Sequence, residues 1–491
     1  VDRDDHAWPL AEQLWSLCQV DRDRRAVCVA EQWWTWGQVT DVARAVDERC
    51  DGGAGQRVGV VLENRPEFVG AVIAVLGRER CLTTVSPLQP TPRLVADLRA
   101  SGLRLLVASP SVWDRLDGED LPLRGYRLHR DGSVDVVRDA PRGEDALPGV
   151  AVEMLTSGTT GPPKRVGLGY RQLTRSLRSG GQPSVEPRLS DDVSITATPL
   201  VHIGGLWSLL MALDNGRATV LLERFEVQPW AAAVERYRPK GTGVVPAGIH
   251  MLLESDVAKE RLASLLMIKS GTAALDPALA EGFTARFGIP VLPVYGATEF
   301  CGAVAGWSLA DHQEYRTTKR GSVGRAEPGV ELRVVDETGT PVAEDVPGRL
   351  EVRTEQAPGR PDEWTATTDL ARLDADGFLY ILGRADATIV RGGFKIDPAA
   401  VVHVLESHPS VREAAVVALP DERRGQVPVA AVEVRAGVSV PAPDELMRLC
   451  RDRLLPYEVP AQVRVVDRLP RTPSLKVSNV DLVKMFGAAA E

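Results

Sequence analysis

Leu155-Thr156-Ser157-Gly158-Thr159-Thr160-Gly161-Pro162-Pro163-Lys164 gathers hydroxyls, bare backbone and one cation into a single stretch. Glycines let successive backbone N–H groups converge on an anion, Ser and Thr hydroxyls add donors, and Lys164 adds charge, a combination suited to phosphate. The phosphate loop that ends in Gly-Lys-Ser/Thr and enters a helix is a poor match, because this lysine follows two prolines. Apolar runs flank the stretch, Val150 to Leu155 before it and Val166 to Leu168 after it. The reading is therefore strand, loop, strand, with phosphates held by side chains and loop amides and no helix N-terminus behind them. A Gly/Thr-rich surface turn is the plain alternative.

At 491 residues the chain exceeds what one hydrophobic core supports, so one large and one small domain are expected. Its 44% hydrophobic and 25% charged residues are those of a globular protein. A net charge of -9 gives no footprint for nucleic acid or an acidic membrane surface, which leaves small molecules as the expected partners. The longest apolar run, Phe68 to Leu76, falls well short of a membrane span, and Val1 to His6 lacks the pattern of a signal peptide. The expected location is the cytoplasm. Cys18, Cys28, Cys50, Cys81, Cys301 and Cys450 show no paired spacing, which argues against a zinc site or a disulfide framework.

From Trp34 to about Ser109 helix-like and strand-like pieces alternate: Trp36 to Cys50 as helix, Arg57 to Leu62 as buried strand, Pro66 to Leu76 as helix. The pattern resumes with strand-like Asp192 to Ala197, apolar Leu206 to Leu213, strand-like Ala218 to Leu222, a helix through Tyr237, strand-like Gly243 to Val245 and then Ile249 to Glu254. Such alternation predicts an α/β fold with helices covering the sheets. From Gly321 to Gly383 short strands and hairpin signals predict a β-rich subdomain. Beyond Arg384 the expected order is strand Thr388 to Val390, helix Pro398 to Glu406, strands Ala414 to Leu419 and Pro428 to Val434, helix Pro443 to Leu454, and a terminal strand and loop.

Together with five further segments in the same order, the phosphate loop resembles the adenylate-forming superfamily of acyl-CoA and aryl-CoA ligases, peptide-synthetase adenylation domains and luciferases. The resemblance covers nearly the whole chain. It implies a large N-terminal domain of layered sheets (1–383, with the β-rich subdomain at about 321–383) and a small mobile C-terminal α+β domain (384–491) hinged at Asp386. It also implies that a carboxylate attacks the α-phosphate of ATP, pyrophosphate leaves, and a thiol such as that of CoA takes the acyl group. On that resemblance Thr156, Ser157, Gly158, Thr159, Thr160, Gly161 and Lys164 hold pyrophosphate. In Tyr295-Gly296-Ala297-Thr298-Glu299 the ring stacks on adenine, Thr298 meets a phosphate and Glu299 holds Mg2+, for which one carboxylate suffices. Asp369 accepts the ribose hydroxyls and Arg384 touches the ribose.

Gly271, Thr272 and Ala273 correspond to the segment lining the adenine and acyl sites, with Thr272 where a smaller residue is usual. His202 closes one wall of the acyl pocket, to which Val201, Trp207, Gly248, Ala297 and Cys301 also belong; Trp207 and Thr272 shorten it, favouring a compact or aromatic acid over a long fatty chain. Lys476, in Pro470-Arg471-Thr472-Pro473-Ser474-Leu475-Lys476, resembles the catalytic lysine of Pro-x-Thr-x-x-Gly-Lys, with Leu475 in place of glycine. Gly392 and Gly393 make room for the pantetheine arm of CoA. The neighbouring alternatives are an enzyme that passes its acid to an amine or a carrier-protein thiol, and an ATP-dependent diazotase that adenylates nitrite for attack by an arylamine. A relative that binds nucleotide without catalysis fits poorly with Lys164, Glu299, Asp369 and Lys476 all present.

Overall fold

Strands that are apolar at nearly every position, not every second one, belong in the middle of a sheet covered on both faces. Arg57–Val61, Cys81–Val85 and Leu105–Ala108 are buried at every residue. In the computed structural model, which describes the chain except residues 1–9, 141–144, 157–163, 180–186, 358, 385–388, 392–393, 422–423, 473–474 and 488–491, these strands lie parallel at the centre of a seven-stranded sheet. Its order is Val134–Arg138, Arg124–Leu128, Leu105–Ala108, Arg57–Val61, Cys81–Val85, Val150–Thr156, Lys164–Gly169, with only the two outermost strands antiparallel to their neighbours.

The described residues within Val1–Ser157, Pro163–Glu331 and Val352–Thr365 pack as one unit, and those within Leu332–Glu351 and Ala366–Glu491 as a second. In the first unit the helix Pro66–Leu76 starts on a proline, whose missing N–H costs nothing at that position, and is buried at all 11 residues. Gly70 lets the helix Trp36–Asp47 approach: a Cβ there would come 2.7 Å from Val42 Cβ. That second helix is held at its start by a reciprocal cap between Thr35 and Gln38. A four-stranded sheet (Val193–Thr196, Ala218–Leu221, Arg25–Val29, Gln32–Thr35) and a five-stranded one (Gly241–Gly243, Met267–Ser270, Val291–Ala297, Gly302–Gly306, Arg325–Ala326) complete the unit.

The second unit holds most of a four-stranded sheet, Val330–Val335, Gly348–Thr354, Thr365–Leu373 and Leu379–Arg384 in that order, which supplies the β-rich stretch. Its remaining sheet is built on the long pair Val411–Asp421 and Gly425–Val434. Period-two alternation gives that pair two apolar faces. Ala414, Val416, Ala430 and Val432 meet the helices Pro398–Glu406 and Pro443–Arg453, while Ala415, Val417, Val429 and Ala431 meet Leu482 and Phe486 of a helix Asn479–Gly487. The sequence reading expected only a strand and loop at this end, so the last helix is a correction. Packing places 366–384 with the C-terminal residues, whereas the resemblance puts the division after Gly383.

All six cysteines are buried free thiols. Among the described residues no helix is long and apolar enough to cross a membrane.

Candidate active site

The phosphate loop is described at its two stems. Thr156 and Lys164 face each other as the last register pair of the antiparallel strands Val150–Thr156 and Lys164–Gly169. Ser157, Gly158, Thr159, Thr160 and Gly161 lie outside the described residues, as does the Thr156 side chain. Arg165, next to Lys164, ties the stem to the helix Thr91–Ser101 by a 2.8 Å ion pair with Asp97. The two strands therefore flank the stretch as expected, with Lys164 exposed at the start of the second.

In the five-stranded sheet, the strands Met267–Ser270 and Val291–Ala297 run parallel, with Ser270 opposite Pro293 and the second strand continuing to Ala297. Their carboxyl ends are where open α/β sheets receive ligands. Past the first comes the turn Gly271-Thr272-Ala273-Ala274, with Thr272 exposed and held at φ +72°. Gly271 is needed there, since a Cβ would lie 2.6 Å from Val294 Cγ2. Past the second, the pairing slips between Tyr295 and Gly296, and a short 3-10 turn Thr298–Phe300 leads into Gly302–Gly306. Gly296 admits no side chain at all, because a Cβ would fall 2.0 Å from the Gly302 carbonyl oxygen. Phe300 and Cys301 are sealed beneath this turn, and Glu299 is left exposed above it.

His202 precedes the helix Ile203–Asp214, and its carbonyl accepts from Gly205 and Leu206 N–H at 3.1 and 3.0 Å. The start of this helix abuts the turn, since a Cβ on Gly204 would sit 3.7 Å from Thr272 Cγ2. One turn along, Trp207 Nε1 donates to Ser176 Oγ at 3.0 Å, and Ser176 Oγ donates to the Cys301 carbonyl at 2.9 Å. Trp207 is thereby fixed against Gly302, where a Cβ would come 3.2 Å from its Nε1. Ser176 was missed by sequence reasoning. Its signal was a lone hydroxyl in the apolar stripe Leu173, Ser176, Leu177, all buried.

Other pocket residues take different places. Val201 and Cys301 belong to the main apolar core, and burial pushes the Cys301 thiol up to about 12, so it contributes its carbonyl and no nucleophile. Gly248 faces Val244 and Phe225, where a Cβ would meet atoms at 2.8 and 3.2 Å. Ala297 is half-buried at the strand end.

In the second unit Asp369 and Arg384 are directly opposed on the antiparallel strands Thr365–Leu373 and Leu379–Arg384. Arg384 Nη2 donates to Thr368 Oγ1, Asp369 N–H donates to Thr367 Oγ1 at 3.1 Å, and Thr367 Oγ1 donates to the Leu350 carbonyl at 2.9 Å. The hinge candidate Asp386 and the glycines Gly392 and Gly393 lie outside the described residues. Beside the glycines, Arg391 Nη1 donates to the Tyr457 and Val459 carbonyls at 2.9 Å each.

Lys476 leaves a tight hairpin. Thr472 carbonyl accepts from Leu475 N–H at 2.9 Å, Lys476 carbonyl accepts from Thr472 N–H at 2.7 Å, and Arg471 pairs with Val477 across the stem. Three-residue hairpins of this kind close on a left-handed residue, usually glycine. Leu475 takes that place at φ +62°. Its side chain keeps the backbone form that glycine would adopt freely, at a cost of about 1–2 kcal/mol. Lys476 retains exposed surface, yet protein gathered around it at longer range pushes its ammonium down: desolvation is the larger cause and the Arg384 guanidinium the second.

Residues 14–357 match the family model described as AMP-binding enzyme, and residues 403–476 match the AMP-binding enzyme C-terminal domain. The chain is 29% identical over 462 residues to 4-coumarate–CoA ligase 5 of Oryza sativa subsp. japonica, covering 87% of this chain and 84% of that one. It is 33% identical over 345 residues to indoleacetate–CoA ligase of Aromatoleum aromaticum, covering 67% and 65%. Among solved structures, the ATP-bound RpMatB-BxBclM chimera B3 superposes with a TM-score of 0.84 at 23% identity, over 98% of this chain and all of that one, a likeness of fold. The o-succinylbenzoate CoA synthetase of Bacillus subtilis, in complex with its acyl-adenylate, superposes at 0.77 with 27% identity over 96% and 97%. The chain belongs to the AMP-binding enzyme family, the adenylate-forming superfamily of ATP-dependent, AMP-forming ligases.

Proposed function

We propose that this enzyme is an acid:CoA ligase that adenylates a compact, aromatic carboxylic acid and passes the acyl group to CoA. The observation that carries the reading is the convergence, at the carboxyl ends of Met267–Ser270 and Val291–Ala297, of the Gly271 turn, the Thr298–Phe300 turn and the start of the Trp207 helix. The names of the relatives add CoA as acceptor and arylic acids as a class: 4-coumarate and indoleacetate are what those proteins' names give. Trp207, locked through Ser176, and Thr272 limit how far an acid can extend.

In this mechanism the acid's carboxylate oxygen attacks the α-phosphorus of ATP, the bond to pyrophosphate breaks, and an acyl-adenylate forms. Residues 156–164 hold the departing pyrophosphate, Tyr295 stacks on adenine, Asp369 and Arg384 hold the ribose, and Lys476 neutralises charge at the α-phosphate. Glu299 fits magnesium, since an exposed carboxylate on a rigid turn leaves the other positions to water and phosphate oxygens. When bound, the ion would offset the phosphates' negative charge. The second step breaks the acyl–phosphate bond by attack of the CoA thiolate on the acyl carbon and releases AMP. Residues 384–491 turning about Asp386 would withdraw Lys476 and present Gly392 and Gly393 to pantetheine.

The test is pyrophosphate release from ATP with a panel of aryl and alkyl carboxylates, with and without CoA, plus one arm of nitrite with an aminophenyl acid. Release that requires a compact aromatic acid and ends in a CoA thioester supports the ligase. Release driven by nitrite, or product formation indifferent to CoA, overturns it.

A further inference from the structure

Glu413 and Glu433 stand directly opposite each other on the antiparallel strands Val411–Asp421 and Gly425–Val434. Glu433 is only 3% exposed. Like charges so placed weaken a sheet unless cations lie against both. Arg412 Nη1 approaches Glu433 Oε1 at 2.5 Å, and Leu469 N–H donates to Glu433 Oε2 at 2.9 Å. The second cation is Arg471, whose Nη2 pairs with Glu413 and lies 3.8 Å from Glu433 Oε2. Its Nη1 is shared, donating at 3.4 Å to Glu413 Oε1 and at 3.0 Å to the carbonyl of Leu475, the peptide that leads into Lys476.

We propose that Arg471 is a positioning residue for Lys476, a fork that fixes the lysine hairpin to the paired carboxylates of the central strands. The inference rests on Lys476 acting in adenylation. Only a planar, two-ended cation can hold the carboxylates and the hairpin carbonyl at once. Without the second bond the hairpin keeps its charge anchor but loses its orientation. Lys476 then serves the phosphate less well, while the thioester step, in which it has no part, is untouched.

The decisive variant is Arg471→Lys, which keeps a cation at Glu413 and Glu433 but has no fork. With 4-coumarate as the acid, ATP–pyrophosphate exchange should fall by about 10²-fold, the scale set by an ångström of misplacement. KM for ATP, the melting temperature, and thioester formation from preformed 4-coumaroyl adenylate and CoA should stay at wild-type values. A second readout needs no substrate. Competitive acetylation with acetic anhydride across pH should show Lys476 titrating below an ordinary lysine in the wild type, and nearer the usual value of about 10.4 in Arg471→Lys. Wild-type exchange with unchanged labelling, or equal loss of both half-reactions with a lower melting temperature, overturns the proposal. If the wild type exchanges with no acid, the ligase reading fails, and labelling alone decides the role of Arg471.

Discussion

Leu475 and Lys476 carry the sharpest consequences of single positions. At φ +62° a leucine is tolerated and a β-branched residue is not. Leu475→Val is expected to lose the hairpin, destabilise the protein by about 1–2 kcal/mol and slow adenylation more than Leu475→Gly, which keeps the same backbone form. Denaturant melts and pyrophosphate exchange on the two variants check this, and equal behaviour of valine and glycine would count against the assigned geometry. For Lys476 the sign follows from the charge it must carry. In the proposed mechanism its ammonium opposes negative charge at the α-phosphate, and desolvation, then Arg384, make that ammonium easier to deprotonate. Adenylation should therefore decline on the alkaline side at a pH below the ordinary lysine value of about 10.4. In a pH profile of Arg384→Gln the decline should move upward, because one of the two causes has gone.

Elements explain what joins these residues. The helix Tyr170–Ser179, the helix Ile203–Asp214 and the strand Gly302–Gly306 are linked by the path from Trp207 through Ser176 to the Cys301 carbonyl. Ser176→Ala leaves the Cys301 carbonyl without that donor and Trp207 without that acceptor, at a cost of about 1–3 kcal/mol. Trp207→Ala should shift kcat/KM toward acids longer by one or two carbons, by about 10-fold or more per carbon; an unchanged length preference would remove Trp207 from the pocket. The helix Asn479–Gly487 shows why some elements escaped the sequence. Val480 and Val483 are exposed while Leu482 and Phe486 are buried, so its apolar residues do not mark one clean face. The cap was legible: Ser478 Oγ accepts from Asp481 N–H and donates to its carboxylate, a Ser-x-x-acid start. Ser478→Ala is expected to fray that helix at about 1 kcal/mol, measurable by hydrogen exchange at Leu482 and Phe486. By contrast the helices Pro66–Leu76 and Pro398–Glu406 were readable to the residue, since proline opens each and the apolar period closes it. Tyr295 to Glu299 and Asp369 were visible in one dimension because each sits in a short run of residue types that the resemblance could match. Ser176 and the Arg471 fork are not of that kind. Their partners lie 125 and 58 residues away.

At the scale of the molecule, the candidate residues divide between two units. Thr156, Lys164, His202, Tyr295 and Glu299 belong to one, and Asp369, Arg384 and Lys476 to the other. In the mechanism proposed above the moving part begins at Arg384, so Arg384 and Lys476 would leave while Asp369 stays. The six thiols bear on how such a motion can be watched. Cys50, the most accessible, is 9% exposed, and the rest are at or below 1%. In the folded enzyme, 5,5′-dithiobis(2-nitrobenzoate) should find essentially none of them, and all six after denaturation. The native chain is thus already a quiet background for spectroscopy: one engineered surface cysteine on each unit would accept a donor and an acceptor dye, and single-molecule energy transfer through a turnover could be followed without first stripping any cysteine from the protein.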